Sequence, residues 1–315
     1  MKQALLFPGQ GAQYVGMGKN LIENFSVAAT LFQNAEDLLK IPLTRYCLDG
    51  PEEKLSETQI CQPAILVHSI AVWKVIQQET DAWKSQSVCG LSLGEYSALV
   101  VAGVLDFSAA LELVRQRGQY MQEACDLVPS KMATIVGLTQ EQLTKVVQQA
   151  SQEKGLVQIA NILAETQIAI SGKGEPLDFA CELAKSAGAS KIFPLKVAGA
   201  FHSELMKPAQ EKLNQAIQKT KMNPASIPVI SNVSAKETST VAQIQENLMQ
   251  QLTCPVLWFQ SMQYLLAQGY ESFLELGPGS VLTGVLKRMN RTARRTNLED
   301  APSVKTWLEQ LRTTR

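Results

Sequence analysis

Two rhythms alternate along this chain. Short apolar runs at residues 4–7, 87–89, 227–231 and 272–276 each break at a corner rich in Gly, Asn or Pro, and a longer stretch with helical spacing follows. An unbroken apolar run suits a strand covered on both faces, and the longer stretches carry the period of the covering helices. The pattern predicts an α/β fold built on a parallel sheet. Ligands of such sheets sit outside the carboxyl ends of the strands, so chemistry is expected at the corners FPGQG, GLSLG, SNVSA and GPGS.

Residues 128–196 keep a different rhythm. A strand is predicted at 132–136, then a helix at 139–150 whose Thr139 and Gln142 fit a capping box. Strands at 157–160 and 167–170, a helix at 177–187 and a strand at 191–195 complete the order β-α-β-β-α-β, the split unit of ferredoxin-like domains. The pattern of the larger domain resumes after Val197. A small subdomain inserted at 128–196 is therefore expected, with residues 1–127 and 197–315 forming the large one and a cleft between them.

Composition narrows the partners. With 29 basic and 29 acidic residues in 315, nothing global attracts nucleic acid or an anionic membrane, so any charge recognition must be local. The apolar run before Pro8 is too short for a signal segment, and no stretch approaches the ~18 apolar residues of a bilayer span. A cytoplasmic monomer is expected. The six cysteines form no C-x-x-C pair and read as isolated, buried, reduced thiols, without a structural metal or disulfide framework.

Ser92 lies between Gly90 and Gly94 in CGLSLGEYSALV. A lone G-x-S-x-G fits a turn as well as a nucleophile, so its setting matters. A strand ends just before it, the glycines let the backbone turn sharply, and a helix opens at Glu95, as in a nucleophile elbow. That arrangement aims the Leu93 N–H and the helix N-terminus at a developing oxyanion. Gln10, in the tight corner between Gly9 and Gly11, offers a second exposed N–H. A phosphate loop is the rival reading of FPGQG, and the absence of G-K-S/T after it argues against that.

A serine hydroxyl needs a base, and the chain has two histidines. His68, in QPAILVHSIAVWKVI, is expected to pack inside an apolar helix with its ring satisfied. His202, in VAGAFHSELMKP, stands between a small-residue loop and a new helix, where it either reaches the cleft or merely starts the helix. Arg115 and Arg117 share the helical stretch ALELVRQRGQYMQEA; residues two apart point to different faces, so at most one enters the cleft, and either suits a solvated face. An arginine in the cleft would bind a carboxylate through a bidentate fork and turn a serine esterase toward acidic acyl groups.

The segments FPGQGAQ, GLSLGEYSAL, VRQRGQYMQEA, AGAFHS, SNVSA, QLTCPVLW and ELGPGSVLTGVLKR, in this order across nearly the whole chain, resemble the malonyl-CoA:acyl-carrier-protein transacylase family. The resemblance implies an α/β-hydrolase-like large subdomain carrying a ferredoxin-like insertion. It implies Ser92 as the acylated nucleophile, His202 as its base, Arg117 as holder of the malonyl carboxylate, and the N–H groups of Gln10 and Leu93 as the oxyanion hole. Gln251 would lie beside the histidine, Met121 in the substrate site, and Phe201 against the malonyl α-carbon. The reaction implied is ping-pong transfer from malonyl-CoA to the phosphopantetheine thiol of acyl carrier protein, supplying fatty acid synthesis. No cofactor or metal is implied, because a thioester is already activated. No acid is placed by motif beside His202, so a backbone carbonyl or Gln251 would orient it, giving a Ser–His dyad.

With Met1 six residues ahead of FPGQG, a stand-alone enzyme is expected. The alternatives are the same chemistry serving a polyketide synthase, a serine thioesterase or hydrolase with water as acceptor, and a scaffold that only binds carrier protein. Two segments depart from the family. Leu91 stands where histidine is usual, and the N-x-N-S-P segment is here Asn161, Ile162, Leu163, Ala164 and Glu165, so contacts of that loop carry over no further than Asn161. Finally, Lys287, Arg288, Arg291, Arg294 and Arg295 crowd into KRMNRTARR, a candidate dock for an acidic carrier or for CoA phosphates, or a solvated helix end.

Overall fold

The structure, a computed structural model, describes residues 2–80 and 85–313. Its strands in chain order are β1 (Lys2–Phe7), β2 (Ser87–Gly90), β3 (Ser130–Val136), β4 (Val157–Ala164), β5 (Gln167–Lys173), β6 (Lys191–Pro194), β7 (Val229–Ile230), β8 (Glu237–Thr238), β9 (Tyr270–Leu276) and β10 (Arg294–Leu298). They form two sheets. The larger has the order β10-β9-β1-β2-β7-β8 and is parallel at every pairing except β7 with β8. The smaller, β4-β5-β3-β6, is antiparallel throughout. Its strands come from one continuous stretch of chain, and the larger sheet draws strands from both sides of that stretch.

Side-chain alternation along β1 feeds two cores. Leu5 and Phe7 join Val88, Val229 and Leu274 on one face, packed with the apolar side chains of the helix Thr58–Glu79. Ala4 and Leu6 turn to the other face with Cys89, Ile230 and Phe273, against Trp258, Met262 and Leu286. Burial on both faces is what makes these strands read as unbroken apolar runs. The edge strands do not: β10 reads RRTNL and β8 is two residues, because an edge strand has one neighbour and tolerates polar positions. Neither was anticipated from the pattern.

The capping box at Thr139 and Gln142 forms as the spacing requires. The six thiols are unpaired. Burial pushes Cys47 and Cys61 up to about 12, so both behave as inert apolar side chains. One expectation needs correction: the helix Thr58–Glu79 does have the length and mean hydropathy, 1.3, of a bilayer span. It is a core helix nonetheless, with 83% of that window buried inside the protein.

His68 lies on that helix, fully buried, and among the described residues neither ring nitrogen has a hydrogen-bond partner. The expected satisfied ring is thus corrected. Burial pushes its pKa down from 6.5 to about 4. Between those values the unfolded chain binds a proton that the folded one refuses, so stability falls as pH drops through that window. The loss attributable to His68 should reach about 2 kcal/mol between pH 6.5 and 5. His68→Leu should remove that share. Urea midpoints at pH 7.5 and 5 check it; an equal drop in both proteins would mean His68 does not stay neutral.

Candidate active site

The carboxyl ends of β1, β2 and β7 lie side by side, which brings FPGQG, GLSLG and SNVSA together. Gly90 and Gly94 are required by close approach: a Cβ on Gly94 would strike the Phe7 carbonyl oxygen, and one on Gly90 the Gly94 backbone. The left-handed residue at this elbow is Ser92 itself, with φ of 51°. Such a conformation costs on the order of 1–3 kcal/mol and persists where its surroundings enforce it. Here the Ser92 N–H donates to Asn232 Oδ1 at 2.6 Å, and its carbonyl accepts from Gln251 Nε2 at 3.0 Å.

His202 precedes the short helix Glu204–Met206 and also has a positive φ, 56°. Its Nε2 lies 2.8 Å from Ser92 Oγ, and Nδ1 lies 2.9 Å from the Gln251 carbonyl oxygen. That carbonyl can only accept, so Nδ1 carries the proton and the Nε2 lone pair faces the serine. Burial, with the Arg117 charge adding to it, pushes the ring's pKa down to about 4, which keeps it neutral at pH 7.

Of the two arginines, Arg117 enters the cleft. It is 1% exposed, and its guanidinium donates to Gln62 Oε1 at 2.7 Å, Ser92 Oγ at 3.0 Å and Gln251 Oε1 at 3.0 Å. The Tyr96 ring lies beneath it, 5.6 Å from Cζ to the centroid. Arg115 turns away and donates to the Gln59 carbonyl. Among the described residues, no hydrogen bond engages the backbone N–H of Gln10 or Leu93. Gln10 lines the cleft, and Leu93 immediately precedes the helix Gly94–Val101.

The cleft has a volume of about 310 Å³. Gln10, Ser92, Arg117, Met121, Phe201 and His202 all line it, and Val281 and Leu282 bring the GPGS corner to its edge. Leu91, Asn161 and Leu163 also face it, so both departures from the family pattern fall on its wall and make that wall more apolar.

Sequence reading missed three supports. Gln62, buried in the apolar helix, holds Arg117 and reaches the Gln10 side chain at 3.4 Å. Asn232 lies in a flagged corner, but nothing in the pattern gave its role. Glu95 looked like an ordinary helix-opening residue, yet it is 4% exposed and accepts from Gln251 Nε2 at 2.6 Å. Desolvation pushes its pKa up to about 7, against the lowering effect of its donors and of Arg117.

The cation cluster does not stay together. Lys287 and Arg288 occupy the last turn of the helix Val281–Met289, Arg291 follows in a loop, and Arg294 and Arg295 open β10, so the helix-end expectation covers only the first two. The parallel sheet places the start of β10 at the end opposite the cleft. Arg295 donates to its own turn, at the Asn290 and Ala293 carbonyls. Arg288 donates to Oε1 of the cleft residue Gln167 at 2.9 Å.

A serine and histidine paired at an elbow, with a buried guanidinium beside them, equip the site for acyl chemistry through a serine ester. A family model described as an acyl transferase domain matches residues 4–313. A malonyl CoA-acyl carrier protein transacylase of Bacillus subtilis is 42% identical over 311 residues, 99% of this chain and 98% of that protein. The chain belongs to the malonyl CoA-acyl carrier protein transacylase family. Solved structures agree with this. An acyl carrier protein S-malonyltransferase of Vibrio cholerae matches with TM-score 0.93 and 39% identity, covering 97% of this chain and 99% of that one. A malonyl-transacylase in complex with its type II polyketide synthase acyl-carrier protein matches with TM-score 0.94 and 37% identity, covering 98% and 100%.

Proposed function

We propose that this enzyme moves the malonyl group from malonyl-CoA to the phosphopantetheine thiol of acyl carrier protein through a malonyl ester of Ser92. His202 Nε2 takes the Ser92 proton as Oγ attacks the thioester carbonyl, and the oxyanion rests on the N–H groups of Gln10 and Leu93. Collapse breaks the C–S bond, and His202 returns the proton to the departing CoA sulfur. The carrier thiol then enters, gives its proton to His202, attacks the ester, and releases Ser92. The Gln251 carbonyl holds the tautomer this requires, so a dyad suffices. The product supplies fatty acid synthesis.

The observation that carries this reading is the guanidinium 3.0 Å from the nucleophile. A hydrolase for neutral esters gains nothing from a buried cation there, whereas a malonyl carboxylate pairs with it as a fork. The test is mass spectrometry of the intact chain after incubation with malonyl-CoA, with acetyl-CoA as control. One malonyl adduct on Ser92, absent from Ser92→Ala and discharged by holo carrier protein, is expected. Discharge by water as fast as by carrier would make it a hydrolase, and no adduct would leave a binding scaffold.

Strand order supports a hydrolase-like large subdomain, residues 1–127 and 197–315, with a ferredoxin-like insertion at 128–196, since β4-β5-β3-β6 is that unit's antiparallel order. A cytoplasmic setting accords with six unpaired thiols.

Phe201 is 6% exposed on the cleft wall. It crowds the malonyl α-carbon in this reading, so a methyl branch there overpacks the pocket by about 1–3 kcal/mol. Methylmalonyl-CoA should acylate Ser92 about 10- to 100-fold more slowly than malonyl-CoA. Phe201→Ser should narrow the gap; equal rates on the unaltered enzyme would rule it out.

For carrier docking, Arg288 is the cation of the cluster bonded to a cleft residue, with Lys287 beside it. Reversing both to Glu should slow transfer to carrier protein in a salt-dependent way, with normal Ser92 acylation. Slower acylation instead would indicate a clamp for CoA phosphates, and neither effect a solvated surface.

A further inference from the structure

Glu95 is a buried acid for which the acyl transfer described above has no step. The groups hydrogen-bonded to its carboxylate are donors: Gln251 Nε2 at 2.6 Å from Oε2, and the Asn232 N–H at 3.4 Å from each oxygen. Because the groups that face them are donors, both oxygens accept, and that fixes the neighbouring amide. Gln251 Nε2 is held between two acceptors, Glu95 Oε2 and the Ser92 carbonyl, which turns its Oε1 toward Arg117 Nη2. The reversed amide would set Oε1 against both acceptors and its NH₂ against the guanidinium. Asn232, whose N–H faces the same carboxylate, takes the Ser92 N–H with Oδ1 and reaches the Gly90 carbonyl with Nδ2.

We infer that Glu95 is a positioning residue: its carboxylate orients the Gln251 amide and, through it, the Arg117 guanidinium against Ser92. The inference rests on the reading of Arg117 as the malonyl clamp. What matters in it is reach. The carboxylate must extend to Gln251, and its charge is secondary, because the contact that sets the amide is a single accepted hydrogen bond.

Two conservative variants separate reach from charge. Glu95→Asp keeps the charge and withdraws the carboxylate by about 1.5 Å, one carbon–carbon bond. Glu95→Gln keeps the reach, with one oxygen still able to accept from Gln251, and gives up the charge. The readout is the malonyl-to-acetyl ratio of Ser92 acylation rates, followed by intact mass, with thermal midpoints measured alongside. Glu95→Gln should stay within about threefold of the unaltered ratio, whereas Glu95→Asp should lower it about tenfold or more, as a mispositioned donor to a charged partner does. A merely structural acid would slow both acyl groups alike and leave the ratio in place. A ratio unmoved in Glu95→Asp, or lowered as much or more in Glu95→Gln, overturns the inference. Failure of the proposed function shows separately, as an unaltered enzyme that forms no malonyl-Ser92.

Discussion

Arg117→Ala is expected to cut malonyl transfer by about 10²- to 10³-fold, the cost of removing one partner of a buried, hydrogen-bonded charge pair. Acetyl transfer should fall much less, because acetyl has no carboxylate to strand. The variant's preference should therefore swing toward acetyl-CoA. Some loss will be common to both substrates, since Gln62 Oε1 and Gln251 Oε1 each lose a donor when the guanidinium goes. Arg115→Ala is the matched control. Its guanidinium donates to the Gln59 carbonyl outside the cleft, so the malonyl-to-acetyl ratio should not move. Single-turnover acylation with each CoA ester measures both variants, and an unchanged ratio in Arg117→Ala would remove the residue from acyl selection.

His202→Ala should slow Ser92 acylation about 10³-fold, the typical worth of a positioned general base. The pH dependence is more discriminating. Nε2 must be unprotonated to take the serine proton, and burial holds the ring's pKa near 4. The rising limb that His202 contributes should thus lie near pH 4, not near the usual 6.5. Glu95, pushed up to about 7, is the group in the site that titrates in the physiological range. Because Glu95 supplies reach rather than charge, acylation by Glu95→Gln should be as flat as the unaltered enzyme's from pH 8 down to 5. A limb near 6.5 common to both proteins would mean that His202 titrates as a solvated imidazole.

How much of this was legible in the sequence depends on whether a signal is local. The sheet-bearing strands and the glycine corners were legible, because burial on both faces and close backbone approach each leave a mark within a few residues. His202 stood out once His68 had been placed on an apolar helix. Choosing between Arg115 and Arg117 required the helix to be set against its neighbours. Gln62, Asn232 and Glu95 left no local mark. Each acts by touching a residue distant in the chain, and polar residues at such positions look like any interior glutamine or helix-opening glutamate. The cation cluster shows the converse: contiguity in KRMNRTARR suggested one surface, but a helix end, a loop and a strand divide it. Edge strands escaped notice for want of an apolar run.

The pairing of Lys2 with Tyr270 has a consequence for how the chain is made. β1 sits inside the sheet, and one of its two neighbours, β9, leaves the ribosome some 268 residues after it. At typical elongation rates that interval is roughly 15 to 50 s, during which the first strand waits with an unpaired edge and uncovered apolar side chains. The smaller sheet, local in sequence, can close within that time. The larger sheet therefore closes on the emergence of β9, and not on growth of the amino-terminal segment.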